Sequence, residues 1–173
     1  MPAPGDTLDN PRLRTRLLWR ETASSTHGER VVAELWMGSD AAERPDHLHP
    51  KMTERLSVLE GRARARLGDR TYELGPGESI DVPPGMPHGF GRANQDELHV
   101  LLEGWPALHW DDFSTKMWKI DLGPRGRPDM LRTSLAMRRY PDHMYMAAAP
   151  IPVQKVLFSL LAGVARLLRK RLP

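Results

Sequence analysis

The chain of 173 residues contains no cysteine. That excludes disulfides, thiol catalysis and cysteine-type zinc sites, and it fits a cytoplasmic protein. No run of about twenty apolar residues occurs, so no membrane-spanning helix is expected. The opening stretch, MPAPGDTLDNPRLRTRLL, holds no apolar segment of signal-peptide length. Charge of one sign is also scarce: the formal net charge is only +3. There is no basic stripe interleaved with aromatics and no helix-turn-helix pattern, so nucleic-acid binding is not expected. What remains is a soluble globular composition of a length suited to one domain with a sizeable core.

Two periodicities divide the chain. From residue 15 to 105 the pattern has period two. ERVVAELWM puts Val31, Ala33, Leu35 and Met37 on one face, with Val32, Glu34 and Trp36 on the other. GRARARLGDRTYEL alternates arginine with Ala63, Ala65 and Leu67, then turns at Gly68-Asp69. ELHVLLEG sets Leu98, Val100 and Leu102 inward and His99 and Glu103 outward. Turn signals recur at short intervals, and many short strands of even spacing imply a β-sandwich or barrel.

After residue 105 the period becomes helical. Phe113, Met117 and Ile120 recur at helical spacing, and a second helix is expected from Pro128-Asp129 to just before Pro141. In the last segment Val153, Val156, Leu157, Leu160, Leu161, Val164, Leu167 and Leu168 form one apolar stripe that ends in Arg169, Lys170 and Arg171. Such a stripe is expected to pack on the barrel or on a partner subunit, rather than on a membrane surface. GPRGRPD, residues 123–129, is the best candidate for a mobile linker. The expected organisation is therefore an N-terminal arm over 1–14, a barrel over 15–105 and a helical extension over 106–173.

The stretch HLHPKMTERLSVLEG, residues 47–61, carries the chemistry. Alternation along an extended strand aims His47 and His49 at one side. In the following strand Glu54 is in phase with Leu56 and Val58, which face the core. A lone inward carboxylate is costly to bury, and a cation beside two imidazoles removes that cost. A third imidazole, His88, follows the turn signal Pro83-Pro84-Gly85 and shares a face with Phe90 and Arg92. His27, His99, His109 and His143 have no partners at ligand spacing and read as surface or packing residues.

Residues 47–61 and 77–88 resemble the two motifs of the cupin superfamily. His47, His49, Glu54 and Gly61 match the first at the right gaps; Gly77, Pro83, Gly85 and His88 match the second. Fifteen residues separate Gly61 from Gly77, as in compact single-domain bacterial cupins. Two positions depart: Ala41 stands where the first motif opens with glycine, and Arg92 stands where the second closes with asparagine. The resemblance implies a mainly β fold, a double-stranded β-helix of the jelly-roll type, followed here by a C-terminal helical extension. It also implies one divalent transition ion held by His47, His49, Glu54 and His88. Iron, manganese or nickel suits such a set, with zinc or copper as alternatives.

The inward set Leu35, Met37, Met52, Leu56 and Phe90, with Arg92 as its one cation, suggests an apolar pocket for a small aromatic or enolic acid. The expected activity is that of a metal-dependent enzyme, an oxygenase first. A non-oxidative isomerase, cyclase or lyase is the alternative, with Glu54 as base, and a non-catalytic small-molecule binder is the third. Cupins are often dimers, so a homodimer is expected.

Overall fold

The computed structural model describes residues 1–121 and 129–173. Ten strands come first: β1 Thr7–Asn10, β2 Thr15–Glu21, β3 Val31–Met37, β4 His47–Leu48, β5 Thr53–Glu60, β6 Ala63–Leu67, β7 Arg70–Leu74, β8 Ser79–Val82, β9 His88–Arg92 and β10 Leu98–Trp105. Helix α1, Trp110–Asp121, and helix α2, Met130–Arg139, follow. A short strand β11, Tyr145–Met146, then precedes helix α3, Ile151–Leu167.

The strands form two antiparallel sheets, one in the order β1-β2-β3-β10-β5-β8 and the other β11-β4-β9-β6-β7. Their inner faces supply one continuous core of Leu17, Trp19, Leu35, Leu56, Val58 and Phe90 among others. This is the expected double-stranded β-helix followed by helices. Alternation explains the local structure. Ala63 and Ala65 are buried while Arg64 and Arg66 between them are half-exposed. Ala65 lies opposite Phe90 in the register, so a small residue leaves room for a large one.

The N-terminal arm contributes β1, whose residues pair from Thr7↔Leu18 to Asn10↔Thr15. On the outer face of β3, Glu34 is nearly buried between Arg20 Nε at 2.5 Å and His99 Nε2 at 2.8 Å. Its carboxyl sits below the ordinary range. Burial opposes this, but the hydrogen bonds from Arg20 and His99 outweigh it.

The helical extension has its own core of Phe113, Ile120, Ala136, Met137, Tyr140, Tyr145 and Phe158. Asp129 caps α2 by accepting from the N–H groups of Leu131 and Arg132. The rest of the linker candidate, 123–128, lies outside the described residues. Tyr140 donates to Asp112, joining α2 to α1. Strand β11 pairs with β4 (Tyr145↔Leu48, Met146↔His47) and so extends the second sheet.

The last helix does not lay its apolar stripe on the barrel. Its buried residues are Gln154, Phe158, Ala162 and Ala165. Val153, Val156, Leu157, Leu160, Val164, Leu167 and Leu168 are exposed. Small residues at 162 and 165 let α3 approach α2 closely, and Gln154 clamps β11 through the Met146 N–H and carbonyl. The interior face was thus decided by small size and one amide, not by the longest apolar stripe.

Candidate metal centre

The four predicted ligands come from three strands and both sheets. His47 opens β4 and lies directly opposite His88, which opens β9. His49 follows β4 by one residue, and Glu54 enters from β5 in the facing sheet. All four are buried, and one donor atom from each lies within 4.8 Å of the others. Ligands on opposite sides of a transition ion stand about 4 Å apart, so the donors already approach coordinating range. The turn carrying the second motif is fastened to the first, since the Gly85 N–H donates to the His49 carbonyl at 2.8 Å.

Each imidazole is oriented by a backbone carbonyl. His47 Nδ1–H donates to Pro45 at 2.8 Å, His49 Nδ1–H to His143 at 2.7 Å, and His88 Nδ1–H to Met86 at 2.9 Å. A carbonyl only accepts, so Nδ1 carries the hydrogen in all three rings. In the neutral tautomer that leaves three Nε2 lone pairs for the centre, which is how metal-binding histidines are held.

Glu54 Oε2 meets His88 Nε2 at 2.8 Å and His49 Nε2 at 3.3 Å, but His49 Nε2 has no aligned hydrogen bond and is a buried orphan. Burial alone would raise the Glu54 carboxyl; the adjacent imidazoles of His49 and His88 hold it well below the ordinary range. Burial pushes His47 down to about 3, with repulsion from His49 and His88 adding to it. Burial also opposes protonation of His88, but the hydrogen bond and charge of Glu54 carry its pKa upward. Without an ion, then, a proton on His88 balances the buried carboxylate. Three aimed imidazoles, one carboxylate and an orphaned Nε2 fit a divalent transition ion better than they fit that single proton.

The helical extension supplies the rest of the surroundings. Trp110 stands edge-on to the His49 ring at 4.7 Å, and Phe113 and His143 pack behind it. Sequence reasoning missed Trp110 and the His143 carbonyl, because no spacing links residue 49 to residue 143. His143 itself is a buried packing residue whose ring nitrogens make no well-formed hydrogen bond. The Pro45 and Met86 carbonyls were in principle findable, each two residues before the histidine it holds.

Of the predicted pocket residues, Leu35, Met37, Leu56 and Phe90 lie in the barrel core, and Met52 is 2% exposed against Gly104. Arg92 lies on the same strand as His88, about 13 Å along it. Its guanidinium donates to the carbonyls of Ala41 and Asn94, while its Nε is buried without a partner. Two surface clefts, of about 660 and 480 Å³, are lined by none of the four candidate ligands. His143 lines the smaller, with His109, Arg139 and Asp142.

Residues 36–103 match the cupin domain family. No curated protein matches the chain in sequence. Among solved structures, KdgF from Halomonas sp. is similar at 18% identity, covering 58% of this chain and 86% of that one, with a TM-score of 0.50. A predicted oxalate decarboxylase from Thermotoga maritima is similar at 13% identity over 53% and 79%, also with a TM-score of 0.50. The polyketide cyclase RemF from Streptomyces resistomycificus shares 28% identity over 54% and 66%, with a TM-score of 0.44. The matched domain, its two facing sheets and the buried histidine-glutamate cluster agree: this chain carries a cupin domain over residues 36–103.

Proposed function

We propose that this chain is a metal-dependent enzyme acting on a small organic molecule, with one divalent transition ion held by His47, His49, Glu54 and His88, and with oxygenation as its reaction. The observation that supports it most is the set of three Nδ1-anchored imidazoles around one buried carboxylate. A bound ion of this kind supplies Lewis acidity to a substrate oxygen and, as iron(II), a site for dioxygen beside it.

The chain's own residues set the conditions. The three carbonyl anchors fix ring orientation, so no ligand has to be ordered when substrate arrives. Trp110 on one side and the barrel core on the other keep bulk water from the four donors. Leu35, Met37, Met52, Leu56 and Phe90 form the apolar wall for the substrate, with Arg92 as the cation for an acidic group. Met37 and Met52 have the most adaptable of these side chains. Dioxygen consumption by iron(II)-loaded protein with enolic or aromatic acids tests this reading. Tight ligand binding with no turnover under any metal would overturn it.

A non-oxidative isomerase, cyclase or lyase is favoured by a different observation. Glu54 Oε2 and His88 Nε2 stand 2.8 Å apart as a buried carboxylate–imidazole pair. Such a pair can take a proton from one substrate atom and return it to another without an oxidant. Substrate conversion in the absence of dioxygen, lost in Glu54→Gln, would select this second reaction.

A further inference from the structure

The exposed side of α3 is an apolar stripe, and a basic segment follows the helix. Val153, Val156, Leu157, Leu160, Val164 and Leu167 recur at spacings of three and four residues, with exposures from 45% to 83%. At about 100° per residue they fall on one side of the helix, opposite the buried Phe158, Ala162 and Ala165. The segment 150–173 carries Lys155, Arg166, Arg169, Lys170 and Arg171 and no acidic residue.

The charge of the surrounding layer is also one-sided. Residues 129–173 hold eight Lys/Arg against two acids, Asp129 and Asp142, although the whole chain is only +3. The acids are spoken for, Asp129 by Lys170 at 3.5 Å and Asp142 by Lys51 at 2.8 Å. The rest of the chain therefore carries a net negative charge, and the cations are concentrated in the segment that carries the apolar stripe.

From this we infer that α3 docks the protein onto an anionic lipid surface, lying in the plane of the headgroups with its apolar stripe in the acyl boundary. A helix of 17 residues is about 25 Å long, and no helix of the described residues is long and apolar enough to cross a membrane. In-plane docking is the arrangement that buries one apolar side and leaves the other packed on α2. At the C-terminal end of the stripe the exposed Arg169 and Arg171 are long enough to reach phosphate oxygens while their stems stay apolar. A second copy of this chain would cover the same stripe but would bring a second set of cations with no acids opposite them. Charge thus favours the lipid surface over self-association. Gln154 fastens α3 to β11, which pairs with the strand bearing His47, so docking would hold the barrel close to the surface.

The test is flotation of the full chain with vesicles of phosphatidylcholine alone and of phosphatidylcholine with phosphatidylglycerol in equal parts. The expected result is binding to the anionic vesicles, weakened by salt and absent with phosphatidylcholine alone. Leu160→Glu should weaken binding about tenfold or more, because it puts a carboxylate on the stripe at a position 67% exposed in solution. Arg169→Glu with Arg171→Glu should do the same through charge alone. Both variants should keep the metal content and melting temperature of the parent, which separates lost docking from lost folding. Failure of the parent to float with anionic vesicles overturns the proposal, and so does binding that Leu160→Glu leaves unchanged. Sedimentation showing a two-chain mass that Leu160→Glu halves, with no lipid binding, assigns the stripe to a dimer instead and also overturns it.

Discussion

His49 Nδ1–H donates to the carbonyl oxygen of His143 across 2.7 Å, although the two residues are 94 positions apart in the chain. The barrel supplies the ligand candidate, and the helical extension sets its tautomer and its angle. The extension is therefore part of the candidate metal centre.

Elemental analysis of the purified protein is expected to find about one transition ion per chain. His49→Ala removes one of the four donors and is expected to bring the content close to zero. Full metal content in that variant would refute the ligand assignment.

Trp110→Ala tests the extension's share. The indole packs on His49 and on Phe113, so its loss is expected to cost about 2–3 kcal/mol in denaturant unfolding. With the His49 ring freed on that side, metal affinity should fall about tenfold. Lost stability with unchanged affinity would mean that the His143 carbonyl alone positions the ring.

The pH response of the metal-free protein has a definite sign. The unfolded chain takes a proton on His47 near pH 6.5, whereas the folded chain refuses it until about pH 3. Unfolding binds a proton in that window, so stability falls as the pH is lowered through it. Glu54 acts in the same direction: its contribution is present above about pH 4.5 and is lost as the pH falls toward its depressed folded value. His88 acts oppositely, contributing fully below pH 6.5 and losing its contribution as the pH rises through its raised pKa. Melting temperatures of the metal-free protein should drop steadily from pH 6.5 toward pH 3. His47→Asn should flatten that drop.

Metal binding should show the reverse of the His88 effect. The ion needs a neutral imidazole and must displace the proton that Glu54 holds on His88. Affinity is expected to rise as the pH rises through the raised pKa of His88, with about one proton released per ion. Calorimetric titration in two buffers of different ionisation enthalpy measures that proton directly.

Gly61→Ala tests why the first motif closes on glycine. Its φ is +81°, and a Cβ there would stand 2.2 Å from the Glu97 carbonyl oxygen. The expected loss is at least about 2 kcal/mol, from left-handed strain and displacement of the β10 approach. A variant that melts with the parent would show that the β5–β6 corner yields freely.

The strands and the four residues that cluster were legible because both depend on local order. Period-two alternation sorts a strand's faces wherever the strand lies, and the fixed gaps from His47 to Glu54 and from Pro83 to His88 are properties of short segments. Helix positions were legible for the same reason. The side α3 would bury was not, since an apolar stripe specifies that a side wants cover but not which neighbour is close enough. Ala162 and Ala165 allowed near approach to α2, and Gln154 found the backbone of β11, so the longer side chains were left outward.

The sequence by itself thus determined a run of short strands followed by three helices, because side-chain direction follows from local period, and its resemblance to the cupin motifs implied the barrel and the candidate three-histidine, one-glutamate set. Only the tertiary structure decided that His143 orients His49, that Trp110 walls the centre, and that the last helix shows its apolar side. Those depend on contacts between residues tens of positions apart, which chain packing selects and no local period encodes.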